Sequence, residues 1–135
     1  MKAPITLDLK KFRKLPIIDA TLNGKPAKFI LDSGATFSVL NIKDQDLFGF
    51  GTEEDTENEA VGYGGQAQFE KVRWVELKIG DVKLSGDFNA QDLSKIVGVI
   101  KSNEGITVNG IIGVNYFMSY GFILDFKNYK ITIHP

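Results

Sequence analysis

Phe29-Ile30-Leu31-Asp32-Ser33-Gly34-Ala35-Thr36 sets a carboxylate and a hydroxyl on a glycine turn directly behind an apolar run. A carboxylate following three large apolar residues needs hydrogen bonds or a partner that shares its charge, because burial penalises an isolated ion. A plain turn accounts for part of the pattern, since Asp and Ser bond nearby amides and Gly accepts a positive φ. The flanking sequence fixes where the turn lies. Residues 15–22 read as a strand, Asn23-Gly24 is a two-residue hairpin signal, and residues 27–31 read as the returning strand. The turn therefore falls at the far end of a hairpin strand. Residues 36–40, Thr-Phe-Ser-Val-Leu, are β-branched and aromatic and predict that the chain leaves the turn in another strand. Far downstream, residues 108–113, Val-Asn-Gly-Ile-Ile-Gly, repeat the theme of a short apolar strand closed by glycine.

Between these landmarks, residues 41–50 mix Ile42, Leu47, Phe48 and Phe50 with polar residues and predict a helix of one to two turns capped by Asn41. Residues 52–59, with five acidic side chains and no apolar period, read as an exposed loop that lacks the donor spacing of a calcium site. Residues 66–92 read as β, with Phe69, Val72, Trp74, Leu77 and Ile79 in a partly alternating stretch and Gly80-Asp81 as the turn between long antiparallel strands. Leu93, Ile96, Val97 and Ile100 stand at helical spacing and predict a short amphipathic helix over 93–101, followed by a loop at 102–105. Residues 115–120 add a helical turn, and 122–126 with 130–133 make a final hairpin. Many short strands with glycine-bearing turns and few helical residues predict an all-β, closed or nearly closed β-barrel with one or two short helices, in a single domain spanning 1–135.

Composition narrows the chemistry. A chain of 135 residues with 43% hydrophobic and 24% charged residues fits one globular domain. The net charge of −1 gives no electrostatic footprint for nucleic acid, and the basic cluster Lys10, Lys11, Arg13, Lys14 is short enough to be a solvated flank. With no cysteine, neither a disulfide framework nor a thiol nucleophile is available. The single histidine, His134, leaves no material for a Ser-His-Asp triad or a multi-histidine zinc site within one chain. Residues 62–65 lack the lysine-hydroxyl ending of a P-loop. No stretch reaches the length of a membrane span, and nothing here assigns a compartment.

The Asp32 turn, the Gly110-Ile111-Ile112-Gly113 element and the terminal Phe122-Ile123-Leu124-Asp125-Phe126 strand together resemble the retropepsin-like aspartic proteases, in particular their small bacterial single-lobe members. The likeness in order and spacing runs over residues 15–133. Gly62-Tyr63-Gly64-Gly65 falls where that family carries its flap. The resemblance implies a single aspartic-protease lobe, a polypeptide substrate, no cofactor and no metal.

Aspartate-based peptide hydrolysis needs one carboxylate to take a proton from water while another, still protonated, donates to the scissile carbonyl. This chain has one Asp-Ser-Gly turn; Asp8, Asp19, Asp87, Asp92 and Asp125 lack a following hydroxyl-glycine pair. The resemblance then implies a C2 homodimer in which Asp32 meets its own copy. It assigns Asp32, Ser33 and Gly34 to catalysis: Ser33 bonds across the axis and Gly34 permits close approach. Ala35, Tyr63, Gly64 and Gly65 are assigned to substrate binding. Ala35 brings no hydroxyl to the carboxylates, where pepsin-like lobes often carry serine, so activity at mildly acidic pH is expected. A catalytically silent binding or dimerisation module of the same fold is the competing expectation, with a small-ligand barrel as a third.

Overall fold

In the computed structural model, the hairpin ahead of Asp32 forms as β2 (Ile17–Leu22) and β3 (Lys25–Leu31). Asn23 and Gly24 join them at φ 50° and 80°, the doubly left-handed turn whose twist matches a two-residue hairpin. The structure describes residues 3–9, 15–62 and 65–135, with the backbone alone for 54–69. The basic segment at 10–14 and the flap candidates Tyr63 and Gly64 lie outside the described residues.

Chain order continues through β4 (Ser38–Asn41), a 3-10 turn (Ile42–Asp44), α1 (Gln45–Phe48), β5 (Gly51–Gly62), β6 (Gly65–Arg73), β7 (Leu77–Ile79), β8 (Val82–Leu84) and β9 (Phe88–Gln91). It then runs through α2 (Ser94–Glu104), β10 (Gly110–Ile112), α3 (Val114–Tyr120), β11 (Ile123–Asp125) and β12 (Lys130–Ile133), with β1 (Ile5–Asp8) at the front. Nine strands pair in the order β5-β6-β9-β4-β10-β3-β2-β7-β8, and a second sheet has the order β1-β12-β11. The architecture is all-β with few helices. The pairings of the described residues run from β5 to β8 without joining those two ends, so barrel closure is not among them.

Both faces of the sheet centre are covered, which explains why Phe-Ile-Leu and Gly-Ile-Ile read as continuous apolar runs. Phe29, Leu31 and Ile112 enter the main core with Phe88, Tyr116 and Ile131. Ile30 and Ile111 point the other way, into a second cluster with Ile17, Ala35, Val108 and Ile100 of α2. Ile111 and Ile112 thus pack the interior on opposite faces beside the loop.

Several expectations are corrected. Residues 52–59 belong to β5, the outermost strand of the larger sheet, rather than to a loop. Charged residues suit an unpaired strand edge, and Glu53 pairs Arg73 of β6 at 2.8 Å. The strand after Asp32 begins at Ser38 because Thr36 and Phe37 remain in the loop. The alternation at 66–79 is broken at Trp74, which takes φ 59° and is 80% exposed. Asn23 enforces that break: its Nδ2 donates to the carbonyls of Phe48 (3.0 Å) and Trp74 (2.9 Å), and its Oδ1 accepts from the Glu76 amide (2.7 Å). The strands beside Gly80 are three residues each, not long. α2 continues through 102–104 and stops at Gly105, which caps it at φ 71°. Asn41 does cap the turn that follows it, accepting from the Lys43 amide at 3.2 Å. With α1, α2 and α3, the described residues hold more helix than expected.

Candidate active site

β10 lies between the two strands that flank the Asp32 turn. It runs parallel to β3, with Ile112 opposite Leu31, and antiparallel to β4, with Ile111 opposite Val39. Residues 32–37 therefore pass across the C-terminal end of β10. Such an insertion demands a strand with almost no side-chain bulk at its ends. A Cβ on Gly110 would stand 2.5 Å from the Val39 carbonyl oxygen; one on Gly113 would stand 2.5 Å from the Phe37 oxygen and 2.7 Å from the Ala35 oxygen. Glycine is required at both positions by contact with backbone.

Two backbone bonds hold the turn on this strand. The Asp32 amide donates to the Ile112 carbonyl at 3.0 Å, and the Val114 amide donates to the Ala35 carbonyl at 2.8 Å. Within the turn, the Ala35 amide donates to the Asp32 carbonyl at 3.1 Å, and the Gly34 amide donates to Asp32 Oδ1 at 2.9 Å. Asp32 is half-buried while Ser33 and Gly34 are exposed. The acid thus stands at the lip of a clamped loop, with one oxygen held by the Gly34 amide. A Cβ at Gly34 would lie 3.2 Å from that oxygen.

Ala35 buries its methyl in the second cluster and uses both backbone groups within the loop clamp. Gly65 pairs with Gly62 at the last described rung of the β5–β6 hairpin, the segment that the resemblance matches to a flap. His134 is engaged at the chain end: its Nδ1 is 2.7 Å from the Gly121 carbonyl and its amide donates to Tyr120.

Sequence reasoning passed over Ser38 and Asn115. Ser38 is fully buried beneath the loop, accepts from the Gly113 amide at 2.8 Å and donates to Asn115 Oδ1 at 2.6 Å. The only sequence signal was a hydroxyl set among Phe37, Val39 and Leu40.

The family model described as aspartyl protease matches residues 18–116, which include both the Asp32 loop and Gly113. Among solved structures, a retropepsin-like aspartic protease from Rickettsia conorii aligns with a TM-score of 0.59 and 16% identity, covering 97% of this chain and 89% of that one. The EIAV protease complexed with the inhibitor HBY-793 aligns at 0.58 and 18% identity, covering 78% and 88%. The retroviral protease-like domain of Ddi1 from Leishmania major aligns at 0.56 and 16% identity, covering 90% and 94%. No curated protein matches the chain significantly. Likeness at these identities speaks to the fold, whereas the family model reads the sequence itself over most of its length; by that measure, and with a retropepsin-like architecture around the Asp32 loop, this chain belongs to the aspartyl protease family.

Proposed function

We propose that the protein is a homodimeric aspartic endopeptidase, hydrolysing peptide bonds with a water activated by two Asp32 carboxylates, one from each subunit. The observation that carries the reading is the Asp32 carboxylate itself, held by the Gly34 amide at the exposed lip of a loop clamped onto β10. A single acid cannot both accept a proton from water and donate one to the scissile carbonyl in the same step. A twofold axis beside the loop supplies the second acid from an identical residue.

In this reading Asp32 and its mate activate the water and protonate the substrate, and neither is acid or base by identity until substrate breaks the symmetry. Ser33, exposed at the turn, bonds to the opposite loop across the axis. Gly34 keeps the approach clear. Ala35 shapes the floor beneath the substrate, and Tyr63, Gly64 and Gly65 close over the bound peptide, excluding water and offering amides. The long β5–β6 hairpin supports that role for its tip. The two sheets form the walls of one closed or nearly closed barrel.

Digestion of an unstructured protein between mildly acidic and neutral pH tests the proposal, with and without pepstatin and beside Asp32→Asn. Pepstatin-sensitive cleavage that disappears in Asp32→Asn is expected. Equal cleavage by the variant and the parent overturns the peptidase reading.

A further inference from the structure

A one-way chain of hydrogen bonds runs beneath the Asp32 loop. The Gly113 amide donates to Ser38 Oγ at 2.8 Å, so the Ser38 proton is free to go to Asn115 Oδ1 at 2.6 Å. The Asn115 amide nitrogen in turn donates to the Asp87 carbonyl at 3.0 Å. Each group has one role available: a backbone N–H only donates, and the amide oxygen of Asn115 only accepts. The chain therefore fixes the Ser38 rotor and the orientation of the Asn115 side chain together.

Its position matters more than its presence. Ile112 and Val114 supply the two backbone groups that hold the loop, at Asp32 and at Ala35. Gly113 stands between them and is the residue that Ser38 grips. Ser38 is fully buried and opens β4, so the same hydroxyl ties the exit of the Asp32 loop to the strand end on which its entrance rests. Asn115 extends the tie to the segment just before β9, the strand that runs parallel to β4 with Phe88 opposite Ser38.

We propose that Ser38 and Asn115 are positioning residues for the Asp32 carboxylate, acting as one unit through the Gly113 peptide. The inference rests on the peptidase reading for its kinetic consequence, while its structural content stands apart from it. Misplacement of a reacting group by as little as an ångström is sufficient to cost orders of magnitude in rate.

Steady-state cleavage of a peptide is compared for the parent, Ser38→Ala, Ser38→Thr, Asn115→Ala and the double alanine variant, with thermal melting of each. Ser38→Ala is expected to lower kcat by about tenfold or more with KM within about twofold, and Ser38→Thr, which keeps the hydroxyl, recovers most of the loss. The double variant matches Ser38→Ala within about twofold, because residues acting as a unit are not additive. Unchanged kcat in folded Ser38→Ala, or losses that simply multiply, overturns the proposal. If Ser38→Ala does not fold, Asn115→Ala decides, since it leaves the Gly113 bond in place: reduced kcat at near-parental melting temperature supports the proposal and parental kcat overturns it. If the parent cleaves nothing, the peptidase reading fails separately, and amide exchange decides the positioning. Faster exchange at Asp32 and Val114 in Asn115→Ala, with Ile131 of β12 unchanged, supports it; no change, or uniform acceleration, overturns it.

Discussion

Gly113 faces the carbonyl oxygen of Phe37 so closely that a Cβ built on the glycine would come within 2.5 Å of that oxygen. The neighbour is backbone, fixed by the same loop that carries Asp32, and it has little freedom to retreat. Gly113→Ala is expected to destabilise the protein by about 2–3 kcal/mol, in the range of overpacking in a closely packed interior. Gly110→Ala, which meets the Val39 oxygen at 2.5 Å, behaves alike. Urea unfolding monitored by Trp74 fluorescence measures both; a shift below about 0.5 kcal/mol contradicts the close approach.

Asn23 replaces a missing strand rung with its side chain. It bonds three backbone groups of the 48 and 74–76 segments from a left-handed turn position. Asn23→Gly keeps the turn geometry and removes all three bonds, which predicts a loss of about 2–3 kcal/mol at roughly 1 kcal/mol per bond. Denaturant unfolding checks it, and a stability equal to the parent's shows that water replaces the asparagine without cost.

Trp74 holds φ 59° while 80% exposed, its ring lying over Gly51. A left-handed conformation costs an ordinary residue about 1–2 kcal/mol, whereas Asn tolerates it. Trp74→Asn is therefore expected to raise stability by about 0.5–1 kcal/mol, an estimate of relieved strain less the little ring burial that is lost. Thermal melting followed by circular dichroism reads the sign. A fall in melting temperature means the ring on Gly51 outweighs the strain.

Acid stability follows from three carboxylates, Asp92 and Glu76 exposed and Asp125 half-buried. Hydrogen bonds from the Ser94 hydroxyl and amide hold Asp92 below its ordinary value, those from the Asn128 side chain and amide do the same for Asp125, and Lys83 lowers Glu76. A folded-state value below the unfolded one contributes stability that is present above the unfolded pKa and is lost as pH falls through the folded value. Unfolding free energy is thus expected to hold steady down to about pH 5 and to decline below about pH 4, where unfolded carboxylates begin to protonate. Asp92→Asn flattens that decline. An identical acid limb in parent and variant removes Asp92 from the cause.

The parts of this fold that were legible in sequence are those whose cause is local. Asn23-Gly24 encodes its own turn, and the Phe29-Ile30-Leu31 run followed by Asp32 marks a strand buried on both faces before a polar turn. Ser38 and Asn115 were not legible because their bond joins residues 77 apart, brought together only by the insertion of β10 between β3 and β4. Trp74 fitted an alternating pattern locally, and its break is imposed by Asn23 from 51 positions away. The acidic run at 52–59 misled because composition was read as solvation, although an edge strand accepts charge as readily as a loop does.

Mixing subunits tests whether Asp32 works as a pair. If each active unit takes one acid from each protomer, a parent chain paired with Asp32→Asn carries a single acid and is silent. Equal amounts of parent and variant, exchanged freely, leave only about a quarter of the dimers with two acids, by random pairing across a twofold. Activity per parent chain then falls to about half, and it keeps falling as variant is added in excess. A protomer that hydrolyses peptides alone is indifferent to the added variant. The assay needs only that Asp32→Asn folds and pairs like the parent, and the exchange of one oxygen for a nitrogen at a half-exposed side chain leaves the backbone clamp on Ile112 and Val114 untouched. Retention of full activity per parent chain at a large excess of variant, with mixed dimers seen by native mass spectrometry, rules out the shared pair.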